Sequence, residues 1–214
     1  MDEDIAIINK NTRDERIKNF FKKNLKKIIT FFSIITFFLV SYFIYIEYKQ
    51  SEKLKISNRY NSLVINFNST DKTDLETDLI EIIYKKDKTY SPLALYFLLD
   101  NNVIKEKNQV NELFDFIINQ IKLNKEIKNL VIYKKALFNS EFKNENELME
   151  ILKPIMNTDS IWKSHALYLM GEYFYFKKEK QKAKEFFDQI LIIENANQDI
   201  KLETQKILNR DFSD

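Results

Sequence analysis

From Ile28 to Ile46 the chain reads IITFFSIITFFLVSYFIYI, nineteen residues without a charge. At 1.5 Å per residue an α-helix of that length covers about 28 Å, close to the hydrocarbon thickness of a bilayer. Ser33, Thr36 and Ser41 can bond back to their own helix, and Tyr42, Tyr45 and Tyr48 gather at its far end, where amphipathic rings favour the interface. Two other readings compete. A cleaved signal peptide has a shorter apolar run followed by a small-residue site, whereas Tyr-Ile-Glu-Tyr-Lys follows here. A buried core helix would need protein on every side of an apolar cylinder. The run therefore predicts a transmembrane helix over 27–48, after a tail (1–26) and before a connecting helix (49–70) and a soluble domain (71–214). Arg13, Arg16, Lys18, Lys22, Lys23, Lys26 and Lys27 precede the span closely, against Lys49, Lys53, Lys55 and Arg59 beyond it. That excess predicts a cytoplasmic N-terminus and a translocated C-terminal domain.

The soluble part has almost no residues from which to build tight turns. Glycine occurs once and proline twice in 214 residues, and a β-rich fold would need many more. A net charge of +2 gives no reason to expect nucleic-acid binding. There is no cysteine, hence no disulfide, thiolate metal site or cysteine nucleophile.

Apolar residues recur at helical spacing throughout this part. Tyr60, Leu63, Val64 and Phe67 suggest a first helix. Asp71 or Thr73 caps a second that carries Leu75, Leu79, Ile82 and Ile83, and Ser91-Pro92 reads as a helix start. Further helices are expected near 107–121, 125–139, 144–156, 160–177, 179–194 and 198–209. The helices also repeat. In the unit beginning at Trp162, Leu167, Met170, Gly171 and Phe174 fall at first-helix core positions of the tetratricopeptide pattern, with Ala183 and Phe187 as its second-helix element. Glycine inside a helix costs about 1 kcal/mol against alanine, so it needs a reason. Small residues at 171 and 183 allow the two helices to approach, with Phe187 filling the contact. Thirty-five residues earlier stand Ala136, Leu148 and Leu152, with Tyr133 matching Tyr168 and Pro154 near the end of the second helix. A looser copy has Leu98, Val110 and Phe114. The expected fold is all-α, one N-terminal transmembrane helix followed by a tetratricopeptide-like α-solenoid of helical hairpins. Ile200, Leu202, Ile207 and Leu208 form the apolar side of a final capping helix.

This architecture resembles the ancillary SecYEG translocon subunit family of Gram-negative bacteria. The resemblance is carried by SPLALYFLL at 91–99, NLVIYKKALF at 129–138 and HALYLMGEYFYFKKEKQKAKEFF at 165–187. The chain departs from that family in carrying Phe, Ile and Tyr where such repeats usually have alanine. The resemblance implies an inner-membrane protein with a periplasmic domain that works beside the secretion channel. Its partners would be translocon subunits, a periplasmic chaperone or emerging client chains. The same scaffold serves equally for cell-envelope assembly with another membrane partner.

Chemistry is sparse. His165 is the lone histidine, which excludes a multi-histidine zinc site, and one glycine excludes a glycine-rich phosphate loop and a G-x-S-x-G elbow. No cofactor, metal or enzyme activity is expected. Asn68-Ser69-Thr70 matches a glycosylation acceptor, which the bacterial reading makes incidental. In the proposed register the inner, concave face presents Tyr133, His165, Tyr168, Glu172 and Tyr175, a set suited to binding polypeptide. For each tyrosine the competing reading is packing between repeats, and Trp162 reads as packing at a helix start.

Overall fold

The computed structural model describes residues 2–69 and 71–212, with the side chains of 2–14, Ile17 and Ser69 outside the description. Thr70 of the Asn-Ser-Thr motif and the side chain of Arg13 lie outside it. Among the described residues every regular element is helical. The chain divides into two compact units, 1–55 and 56–214.

In the first unit, α1 (Asp2–Ile65) begins within the charged tail and runs on through the apolar stretch. It is the one helix among the described residues that is long and apolar enough to cross a membrane. None of its apolar window is buried; Phe31, Phe37, Phe38, Tyr42 and Phe43 are all exposed, unlike the side chains of a core helix. Thr30 and Thr36 donate back to the carbonyls of Lys26 and Phe32, each at 2.9 Å, so neither hydroxyl is left without a partner.

In the second unit, the last turns of α1 are followed by a short 3-10 turn, Phe67–Ser69, and eight helices. These are α2 (Lys72–Tyr84), α3 (Tyr90–Asp100), α4 (Lys107–Gln120), α5 (Lys125–Asn139), α6 (Glu145–Met156), α7 (Lys163–Phe176), α8 (Lys180–Leu191) and α9 (Gln198–Asp211). Side-chain caps begin most of them. The Asp71 carboxylate accepts from the Thr73 N–H at 2.8 Å, and that bond holds its pKa below the usual carboxylate range. Asn144 and Glu147 form a reciprocal capping box at α6. With its lone glycine inside α7, the chain closes three helices with other residues in the left-handed region: Lys86, Asn102 and Lys178, at φ of 58, 50 and 64°.

The start of α3 differs from the expectation at Ser91-Pro92. Asp87 Oδ1 accepts from the N–H groups of Thr89 and Tyr90, both at 2.8 Å, which moves the helix start to Tyr90. Ser91 is then inside the helix and fully buried, donating to the Ile82 carbonyl at 3.3 Å. Pro92 falls at the third helical position, where a backbone N–H has no intrahelical partner anyway.

The helices stack as hairpins, a solenoid in which each packs on its neighbours in sequence and α7 also touches α5 and α9. The tightest pairing is α7 with α8. The repeat-packing positions Ala136, Leu148, Leu152, Gly171, Ala183 and Phe187 are all buried, as are Leu98, Val110 and Phe114. The looser copy has a physical cause. Leu98 stands where Gly171 stands in the good unit, so α3 and α4 stay apart. Small Ser91 and Ala94 instead let α3 close onto α2. The core forms two clusters, one from the end of α1 to α5 and one from α5 to α9, with Ile118 packed against both.

Candidate functional site

α7 is enclosed by its neighbours on nearly every side. Between Ser164 and Tyr175 its only residues not buried are His165, Tyr168, Glu172 and Tyr175. Their spacing of three, four and three puts them in one line along the helix. The opposite positions, Leu167, Met170, Gly171 and Phe174, are in the core.

Around this line the structure gathers groups from three elements. Trp162, just before α7, stacks on Tyr133 of α5 with ring centroids 5.9 Å apart and planes 22° from parallel. His165 completes the group, 4.8 Å from the Trp162 ring and 5.7 Å from Tyr133. Burial disfavours the imidazolium and lowers the His165 pKa, with the Ile161 backbone opposing the shift only in part. At neutral pH this histidine is a neutral ring in an aromatic cluster. No group of three His, Cys, Asp or Glu side chains that could hold a metal occurs among the described residues.

One turn along, Tyr168 packs on the Phe187 ring at 5.8 Å, with the Glu172 carboxylate close enough to act on its hydroxyl. Its phenol is pushed up to about 12 by burial, with the carboxylates of Glu172 and Glu203 adding to the shift. The Glu172 pKa is raised above the ordinary range, chiefly by burial; the Tyr168 hydroxyl opposes this and Glu203 adds to it. Burial raises Tyr133 as well, with help from Glu172. Tyr133 on α5, Tyr168 and Glu172 on α7 and Glu203 on α9 therefore share one electrostatic neighbourhood, partly desolvated and acidic.

Tyr175 does something different. Its hydroxyl donates to Asp211 Oδ2 at 2.9 Å and its ring meets Phe212 at 6.0 Å. It ties the end of α7 to the end of α9. The Asp211 carboxylate is held below its usual pKa, first by the Arg210 guanidinium.

Glu203 escaped the sequence reading, although a signal existed. It lies thirty-five residues after Tyr168, as Tyr168 lies thirty-five after Tyr133, so the three are one ladder. Reading α9 only as a cap hid this residue. Chemically the face offers flat aromatic area, hydroxyl donors and two carboxylates. It suits recognition of a cationic or amide-rich segment through stacking and charge. Compared with known protein families, curated proteins and solved structures, this chain matches none.

Proposed function

We propose that this protein is a single-pass, membrane-anchored scaffold whose soluble helical unit binds other polypeptides, acting by binding rather than catalysis. The observation that carries this reading is the line His165, Tyr168 and Glu172 on α7, flanked by Tyr133 and Trp162 and by the exposed Glu203: half-buried tyrosines and a half-buried carboxylate brought together from neighbouring helices. Aromatic residues of this kind dominate the energetics of protein interfaces, and the two carboxylates favour a partner segment carrying lysine or arginine.

The basic residues before the apolar run support an N-terminus in the cytoplasm and a soluble unit in the periplasm. The segments at 91–99, 129–138 and 165–187 support a place as an accessory component of the Sec translocon, linking it to periplasmic chaperones or to emerging chains. A photocrosslinking amino acid at position 168 of the full-length protein tests this. Crosslinks to translocon subunits or a periplasmic chaperone, lost in Glu172→Lys, are expected. Crosslinks to another envelope machine would keep the scaffold and replace the partner with the envelope-assembly reading. A face that crosslinks to nothing would end the proposal.

A further inference from the structure

The twelve residues from Arg16 to Lys27, just before the apolar run, hold six cations and no acid: Arg16, Lys18, Lys22, Lys23, Lys26 and Lys27. No acidic residue follows until Glu47, and Glu15 lies about two turns ahead of Lys22. Elsewhere in the chain acids outnumber bases, since the net charge is only +2. Lys18 and Lys22, Lys22 and Lys26, and Lys23 and Lys27 are each four apart, a spacing at which like charges repel on a helix. None of the six has an ion-pair partner among the described residues. The far flank is different. There Lys55 pairs with Glu52 at 2.9 Å, Arg59 with Asp78 and Glu81 at 2.7 and 3.1 Å, and Lys49 holds its Nζ 5.0 Å from the Tyr45 centroid. Lys53 alone on that flank lacks such a contact among the described residues.

The four lysines nearest the apolar run also share one side of α1. At 3.6 residues per turn, Lys22, Lys23, Lys26 and Lys27 fall within about 140° of the helix circumference, and all four are exposed. The opposite side carries Phe21, Leu25 and Ile28, spaced four and three apart and continued by Phe32 inside the run. Phe21 and Leu25 are 51 and 53% exposed, so an apolar face begins about two turns before the uncharged run does. The helix is unbroken through this stretch.

Dimensions say what can neutralise these charges. A bilayer about 40–45 Å thick with a hydrocarbon core of about 30 Å leaves about 5–8 Å of headgroup on each side. Measured along the axis from Ile28, Lys23, Lys26 and Lys27 stand about 1.5–8 Å out and Lys22 about 9 Å. Their stems can lie along apolar surface while the amines stay in the polar layer. An acidic protein segment would have to enter that layer to reach Lys26 and Lys27, whereas a lipid phosphate is already there. We infer that Lys22, Lys23, Lys26 and Lys27 form a binding face for the headgroups of anionic phospholipids, in the leaflet where α1 enters the membrane. Anionic lipid then gathers on one side of the helix rather than all round it. This rests on the membrane-anchored reading of α1 and uses nothing from the α7 face.

The test reconstitutes the full chain in phosphatidylcholine vesicles with traces of spin-labelled phosphatidylglycerol or spin-labelled phosphatidylcholine. Electron paramagnetic resonance then reads the fraction of each lipid held at the protein. Phosphatidylglycerol should be preferred by at least about threefold, because each basic residue near the surface attracts anionic lipid. Combining Lys22→Gln, Lys23→Gln, Lys26→Gln and Lys27→Gln keeps helix propensity and should abolish the preference. Salt at about 1 M should weaken it, while Lys53→Gln and Tyr168→Ala should leave it unchanged. If the fourfold variant does not reconstitute, Lys26→Gln with Lys27→Gln decides the matter, with a loss of about half the preference expected. No preference, a preference that survives the lysine substitutions, or one lost in Lys53→Gln would overturn the proposal and leave the anchor standing. A chain that alkaline carbonate strips from the vesicles would overturn both.

Discussion

The ring of Phe187 occupies the space that a side chain at position 171 would need. A Cβ built on Gly171 would stand 2.7 Å from Cδ1 and 2.9 Å from Cζ of that ring. The ring has little room to retreat, being fully buried, with Tyr168 and Phe212 at 5.8 and 6.2 Å. The chain's lone glycine is thus the place where α7 receives the second helix of its hairpin.

Gly171→Ala tests this directly. Intrinsic propensity favours alanine by about 1 kcal/mol in a helix, whereas overpacking a filled core costs about 1–3 kcal/mol. The expected net result is destabilisation, read as a lower denaturation midpoint, and partial rescue by Phe187→Leu. A stabilised single variant would mean that the ring yields freely.

Asn111 and Asn139 exchange side-chain amide hydrogen bonds of 3.1 and 2.8 Å between α4 and α5, and Asn139 is fully buried. Asn139→Ala removes both bonds between the helices, a loss of about 1–3 kcal/mol, while Asn111 keeps its bond to the Lys107 carbonyl. Chemical denaturation should show it. Asn139→Asp should be at least as damaging, because it swaps donor hydrogens for a buried charge.

Lys178 closes α7 in the left-handed region at φ 64°, with its N–H on the Tyr175 carbonyl and that of Glu179 on Phe174. That conformation costs a residue with a Cβ about 1–2 kcal/mol. Lys178→Gly should raise thermal stability by about 1 kcal/mol, whereas Lys178→Val should lower it.

Glu172 sets a pH dependence. Its carboxyl pKa is raised in the fold, chiefly by burial, so the folded chain holds this proton more tightly than the unfolded chain. Its contribution to stability is therefore greatest below the ordinary carboxyl pKa. It declines as pH rises through that range to the raised value and is constant above. Glu172→Gln should raise the melting temperature at pH 7, and the gain should vanish near pH 4. An equal gain at both pH values would assign the effect to packing.

Much of the fold was legible because helical periodicity and caps are local. Asp71 and Asn144 cap α2 and α6 through bonds only two or three residues long. The start of α3 was not legible in the same way. Ser91-Pro92 is a sound local signal, but Asp87 reaches forward to two N–H groups and starts the helix earlier. The closing of α3 onto α2 depends on Ser91 and Ala94 meeting a different helix, which no local pattern records. At the α7 face, the line at 165, 168, 172 and 175 follows from spacing alone. That Tyr175 is tied to Asp211 while Tyr168 feels the charge of Glu203 depends on how α9 packs.

The tie between Tyr175 and Asp211 bears on how such a chain grows over generations. Solenoids lengthen by duplication of whole hairpins, and a new copy survives where both of its flanks find the surface they already fit. Between α6 and α7 an inserted pair meets second-helix and first-helix surfaces of the usual kind. Directly after Asp211 it would first have to evict Phe212 from its seat against Tyr175 and Phe187. Expansion is thus favoured between α6 and α7 and discouraged directly after Asp211, where a new pair would displace the Phe212 contacts.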